Sequence, residues 1–250
     1  MKNKSNLSIN SCIIIPCYNE EKGLPKQEYI RFIENSKDIL ICFVNDGSSD
    51  NTLTLLENLK DNYPTKVDVV SYSKNVGKAE AIRTGINFCQ TNYNYNYIAY
   101  LDADLATTLE ECYSMTTYFN DKIEFVFGSR IKRIGANIDR KKSRFLIGRT
   151  IATVISMILK LPVYDTQCGC KLFTKDLAEK VFVAPFISKW LFDVEIINRI
   201  IQIYGREVVL SKMIEIPLKS WIEKGDSKVK TSYMFKLWID LYKISRLVKS

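Results

Sequence analysis

The sequence predicts an α/β fold: a mostly parallel sheet flanked by helices and followed by a C-terminal amphipathic helix. Three observations predict it. Short apolar runs without strict alternation suit strands buried on both faces, helix-like segments separate those runs, and polar clusters fall where the runs end. Strand and helix in alternation build a doubly wound open sheet. The chain has 250 residues, 46% of them hydrophobic, with only 10 Gly and 6 Pro. That is enough to bury one substantial core, placed here in residues 1–229, with residues 230–250 as the terminal helix.

The elements follow in order. Residues 11–16 (SCIIIP) form the first expected strand, and PCYNEE follows it. The second is residues 39–46 (ILICFVND), closed by NDGSSDNT, in which Asp50 is suited to cap a helix running to Asn62. Residues 67–72 (VDVVSY) give the third strand, with KNVGKAEA after it and a helix over 77–89. The fourth, residues 97–102 (YIAYLD), ends in DADLAT; a helix over 109–119 and a fifth strand over 124–129 (EFVFGS) follow. In open α/β sheets ligands gather beyond the carboxyl ends of the strands, so four polar loops converge on one crevice. No GxGxxG follows the first strand, which argues against a dinucleotide-binding enzyme.

Within DADLAT, Asp102 and Asp104 lie on one side of an extended chain and Ala103 points away. Two like charges so placed need a cation between them.

The second half differs. Residues 130–149 (RIKRIGANIDRKKSRFLIGR) are rich in Lys and Arg, with a single Asp, and residues 150–163 (TIATVISMILKLPV) are almost wholly apolar. Two readings stand side by side: an amphipathic segment whose basic end meets anionic head groups, or a solvated basic loop before a core helix. Near the C-terminus Met234, Leu237, Leu241, Ile244 and Val248 recur at helical spacing. Docking on the domain is the default for that helix, with a dimer contact or a bilayer as the other uses.

Composition excludes several classes. The chain has no His, which removes imidazole bases, His-ligated zinc and Ser-His-Asp triads. Seven scattered Cys, mostly in apolar runs, are expected to be buried free thiols of a reducing cytosol, and Cys168 and Cys170 are too close for a zinc or redox motif. A polar N-terminus and the lack of a long uncharged apolar window predict neither export nor a membrane span. The formal charge of +8 either calls for an anionic partner or merely gives solubility. No nucleic acid is expected, since no nucleic-acid-binding motif is present and the basic residues adjoin an apolar run rather than aromatics.

These loops in this order resemble the inverting family-2 glycosyltransferases of the GT-A (Rossmann-like) fold. GSR (128–130), DTQCGCKLF (165–173), WLFDVE (190–195) and IPLKSWIEKGDSKV (216–229) are most similar to the dolichyl-phosphate β-glucosyltransferases, relatives of the polyprenyl-phosphate mannose synthases. The resemblance implies transfer of glucose from UDP-glucose to a polyprenyl (dolichyl or undecaprenyl) phosphate by a peripheral enzyme at the cytoplasmic face of the inner membrane. Alternatives are a GDP-mannose-dependent synthase and a soluble enzyme that glycosylates a polysaccharide hydroxyl.

It also implies roles. Asp102 and Asp104 hold Mg²⁺ or Mn²⁺ on the donor diphosphate, hard oxygens suiting either ion. Mannose synthases often carry a ligating Gln where this chain has Ala106, so a third protein ligand is missing or comes from elsewhere. The nucleotide set is Pro16, Tyr18, Asn19, Glu20, Asp46, Gly47, Lys78, Asp102 and Ala103, with Asn45 where many relatives carry Asp. Arg130 and Arg144 take the acceptor phosphate. Asp193 is the candidate base, although with an anionic acceptor Asp193 and Asp165 serve equally well to orient Arg and Lys side chains. Trp190 and Trp221 either wall the sugar or fill the core.

Overall fold

The computed structural model describes residues 9–139, 142–224, 239–244 and 246, without the side chains of Lys142, Ser143, Arg144 and Ile147. Its centre is a seven-stranded sheet. Strands β1 (Ile9–Cys17), β2 (Ile39–Asp46), β3 (Val67–Tyr72), β4 (Tyr95–Leu101), β5 (Phe125–Ser129), β7 (Cys170–Thr174) and β8 (Met213–Pro217) lie in the order β3-β2-β1-β4-β7-β5-β8. All are parallel except β7, which runs antiparallel between β4 and β5. A small second sheet pairs β6 (Asn137–Asp139) with β9 (Ser220–Ile222).

Both faces of the sheet are covered, as the unalternated apolar runs require. Along β1, Cys12 and Ile14 pack into one layer and Ile13 and Ile15 into the other, all essentially inaccessible. The first layer contains α3 (Lys78–Asn92), α5 (Lys142–Leu159), α6 (Lys175–Val181) and α7 (Phe192–Tyr204), joined by the buried Leu241 and Ile244. The second holds α1 (Lys26–Asn35), α2 (Thr52–Asn62) and α4 (Leu109–Ser114), which passes into a 3₁₀ turn at Met115–Tyr118. A four-residue α8 (Val209–Lys212) leads into β8.

Two differences from the sequence reading matter for the site. The CKLFT run, not expected as a strand, forms β7 and inserts between β4 and β5. The expected single helix over 109–119 tightens to 3₁₀ geometry for its last turn. All seven cysteines are buried and free. The terminal helix is seen at residues 239–244, which dock through Leu241 and Ile244, with Ser188 Oγ donating to Asp240 Oδ2 at 2.7 Å; most of 230–250 lies outside the described residues. Among the described residues no helix is long and apolar enough to cross a membrane.

Candidate active site

The strand order reverses between β1 and β4, and the polar loops meet beyond the carboxyl ends of these two strands and β2. Asp46, the last residue of β2, is buried. Its carboxylate accepts from Val76 N at 2.6 Å, Gly77 N at 3.0 Å and Asn75 Nδ2 at 2.9 Å. Burial pushes this carboxyl above the ordinary range, and the Val76 and Gly77 N–H groups and the Lys189 charge oppose the rise. The effect is to draw the β3–α3 loop onto β2 and deliver Lys78 at the start of α3. Gly47, at φ +64°, permits this approach: a Cβ there would stand 2.3 Å from the Lys74 carbonyl carbon.

The loop after β1 is fastened to the same place. Asn19 N donates to Ser48 Oγ at 3.0 Å, Ser49 N donates to Asn19 Oδ1 at 2.9 Å, and Glu20 N donates to Thr52 Oγ1 at 2.7 Å. Asn45 joins in, its amide donating to Ser71 Oγ at 2.9 Å. Pro16 is half-buried at the strand end and Tyr18 stands exposed at the crevice edge.

The carboxylate pair lies just past β4. Asp102 Oδ1 is ion-paired with Lys78 Nζ. Asp104 Oδ1 accepts from Ala106 N at 3.0 Å, closing a turn that puts Leu105 at φ 51°, and Ala103 O accepts from Tyr29 OH at 3.0 Å, tying α1 beneath the loop. Burial, then the like charge of Asp102, lifts the Asp104 carboxyl above its usual range. Burial pulls Lys78 down, but Asp102, Asp193 and Asp104 together raise it above its ordinary value.

Do these residues fit a metal? Two hard carboxylates one residue apart, with a repulsion that one lysine only partly relieves, match a hard divalent cation whose other ligands are phosphate and water oxygens. Among the described residues no group of three or more His, Cys, Asp and Glu surrounds one point, and Ala106 offers no side-chain ligand. The fit is therefore to a cation that takes further ligands from outside the protein, not to a protein-only cage.

A neighbouring contact escaped the sequence reading. Leu101 pairs with Cys170 across β4 and β7, so Gly169 faces Asp102, and a Cβ on Gly169 would fall 2.1 Å from Asp102 Oδ2. One register step on, Tyr100 lies opposite Lys171. Lys171 is completely buried; its Nζ pairs with Asp193 Oδ1 at 2.7 Å and donates to Cys168 O at 2.6 Å. Tyr100 OH donates to the same Asp193 oxygen at 2.5 Å. Asp193, on the first turn of α7, is thus committed to a buried network. The signal for both residues was present in GCK, but glycine and lysine gain meaning there only from the strand pairing.

Arg130, expected on the acceptor side, lies with Asp165 between α5 and the loop that precedes β7. Asp165 accepts from Arg130 Nε at 2.7 Å and Nη2 at 2.8 Å, and Arg130 Cζ lies 5.3 Å from the Trp221 ring centre. Burial works against Asp165's charge, but the Arg130 guanidinium prevails and holds its pKa at about 2. Arg130 lines a small, partly open cleft with Arg149, Phe145, Ala152, Ile155 and Thr166. Arg144 belongs to α5, and its side chain lies outside the described residues. Trp190 is half-buried on the approach to α7. Lys189, whose stem lies 3.1 Å from where a Gly77 Cβ would be, is a further cation beside the β3–α3 loop.

Comparison with known proteins gives a family and a fold. Residues 12–182 match glycosyl transferase family 2. A dolichyl-phosphate beta-glucosyltransferase of Trichomonas vaginalis is 32% identical over 253 residues, covering 95% of this chain and 71% of the relative. The Homo sapiens dolichyl-phosphate beta-glucosyltransferase is 28% identical, covering 90% and 76%. Among solved structures, glucosyl-3-phosphoglycerate synthase of Mycobacterium tuberculosis, in complex with Mn²⁺, UDP-glucose and phosphoglyceric acid, superposes with a TM-score of 0.68 at 14% identity, covering 95% and 80%.

Proposed function

The chain belongs to glycosyl transferase family 2, and from that premise we propose that it transfers glucose from UDP-glucose to a polyprenyl phosphate, with inversion and with a divalent metal. The observation that supports the reading is the Asp102–Asp104 pair with Lys78 beyond β4, together with a separate cleft of arginine and apolar side chains beside α5.

On the donor side, the interlocked loops after β1 and β2 form the nucleoside shelf, with Tyr18 as a stacking surface. Asp102 and Asp104 would hold Mg²⁺ or Mn²⁺, whose chemistry there is Lewis-acid stabilisation of the departing diphosphate. Lys78, fixed by Asp46, adds a protein cation to the same leaving group. On the acceptor side, a phosphate monoester is already an anionic nucleophile at neutral pH, so the task is positioning rather than proton removal. Arg130, aligned by Asp165, and Arg144 supply that positioning. Asp193 then acts through Lys171 and Tyr100 as an orienting carboxylate. The exposed apolar Leu146 and Met157 on α5, beside the basic segment, support peripheral attachment to the cytoplasmic face of a membrane.

The test is turnover by purified protein with Mn²⁺ and undecaprenyl or dolichyl phosphate against UDP-glucose, UDP-galactose and GDP-mannose. Glucosyl transfer from UDP-glucose is expected. Transfer only from GDP-mannose, or only to a hydroxyl acceptor, contradicts the donor or the acceptor respectively.

A further inference from the structure

The cleft beside Arg130 has a second guanidinium and a hydroxyl that the roles above do not use. Its apolar wall is Phe145, Ala152 and Ile155 from α5; its polar side is Arg130, Arg149, Thr166 and Gln167. Arg149 Nη1 donates to Tyr164 O at 2.8 Å, and its Cζ stands 3.7 Å from the Tyr164 ring centre, so the guanidinium is fixed by stacking and one hydrogen bond. A guanidinium carries five N–H donors, so most remain for a ligand. Arg130 is neutralised by its forked pair with Asp165, whereas among the described residues no carboxylate pairs with Arg149. Arg149 therefore brings the uncompensated positive charge of the cleft.

Thr166 is 1% exposed, and its hydroxyl has no hydrogen-bond partner among the described residues. Buried hydroxyls are normally satisfied, and this one lines a cleft with two guanidinium groups. The loop that presents these groups is itself clamped: the Glu215 carboxylate accepts from Tyr164 N at 2.8 Å and from Asp165 N at 2.7 Å. One side chain on β8 thus sets the carbonyl that orients Arg149 and the carboxylate that orients Arg130.

We propose that Arg149 and Thr166 bind a phosphate monoester with Arg130 in this cleft, and that Glu215 is the positioning residue that holds their loop. The inference rests on the acceptor being a polyprenyl phosphate and identifies which further side chains recognise it. The apolar wall takes the first carbons of the chain and the polar side the phosphate, with Arg149 adding its charge to those of the arginines already assigned to the acceptor.

Calorimetry on the full chain tests this with farnesyl phosphate, inorganic phosphate and farnesol as probes, and with UDP plus Mn²⁺ titrated in parallel as a check on the fold and the donor side. Farnesyl phosphate is expected to bind more tightly than inorganic phosphate, and farnesol not to bind. Arg149→Met should weaken farnesyl phosphate at least tenfold and Thr166→Val several-fold, with Arg149→Lys recovering only part. Glu215→Gln should weaken it as well, and UDP affinity should stay constant throughout. Unchanged farnesyl phosphate affinity in Arg149→Met or in Thr166→Val overturns that residue's part. A wild-type protein that binds UDP but no phosphate probe, and glucosylates only hydroxyl acceptors, overturns the underlying reading instead.

Discussion

At the scale of single residues, Asp165 and Gly169 make the account quantitative. Asp165 has a folded pKa of about 2, against roughly 3.9 for a free aspartate. A carboxyl depressed on folding stabilises the native state in full above its unfolded pKa and loses that contribution as pH falls through the folded one. The shift is worth about 2 kcal/mol, present above about pH 4 and lost toward pH 2. Urea unfolding of wild type and Asp165→Asn across pH 2–6 should converge at the acid end. Gly169 is constrained by space: a methyl group there meets the Asp102 carboxylate at 2.1 Å. Gly169→Ala is expected to keep its melting temperature within a few degrees while losing at least about tenfold in Mn²⁺-dependent UDP affinity, read by calorimetry.

At the scale of elements, β7 explains both what the sequence disclosed and what it concealed. The expected bounds of β2 and β3 coincide with the observed ones: β2 is buried along its whole length and shows as a nearly continuous apolar run, and β3, at the sheet edge, is a short β-branched run bounded by polar residues. β7 carries Lys171 as its second residue, and a charge in a short run reads as surface. Its burial is explicable only from Asp193, 22 positions on, together with the carbonyl of Cys168. α1 is concealed for the opposite reason: a ten-residue helix in a polar stretch buries just Tyr29, Phe32 and Ile33. The site divides the same way. Asp102, Asp104, Asp46 and Lys78 stand at strand and helix ends where the pattern places ligands, whereas Arg149, Glu215 and Lys189 reach the site through tertiary packing.

The β7–α7 contact also makes a stability prediction. Lys171→Met leaves Asp193 buried without its cation, at a cost of about 3–5 kcal/mol, and adding Asp193→Leu should recover much of it. Denaturant midpoints of the single and double variants measure the coupling. An additive double mutant would show that the pair is not a unit.

For the whole molecule, a two-faced α/β sheet carries polar loops beyond the carboxyl ends of β1, β2 and β4 and an apolar, arginine-bearing cleft lined in part by α5. The exposed Leu146 and Met157 and the basic residues before them predict binding to anionic vesicles that weakens as salt rises through the Debye regime, with little binding to neutral ones. Sedimentation with vesicles of each type at low and high ionic strength reads this directly. Equal partition into neutral and anionic vesicles would remove the electrostatic part of the attachment.

The central claim is that Asp102 and Asp104 grip a divalent cation together with a nucleoside diphosphate. Calorimetric titration of UDP in the presence and absence of Mn²⁺, on wild type and Asp104→Asn, tests it most directly. The account predicts metal-dependent binding that the variant lacks, alongside a loss of about 10²–10³-fold in turnover. UDP affinity indifferent both to Mn²⁺ and to the loss of the Asp104 charge would contradict it.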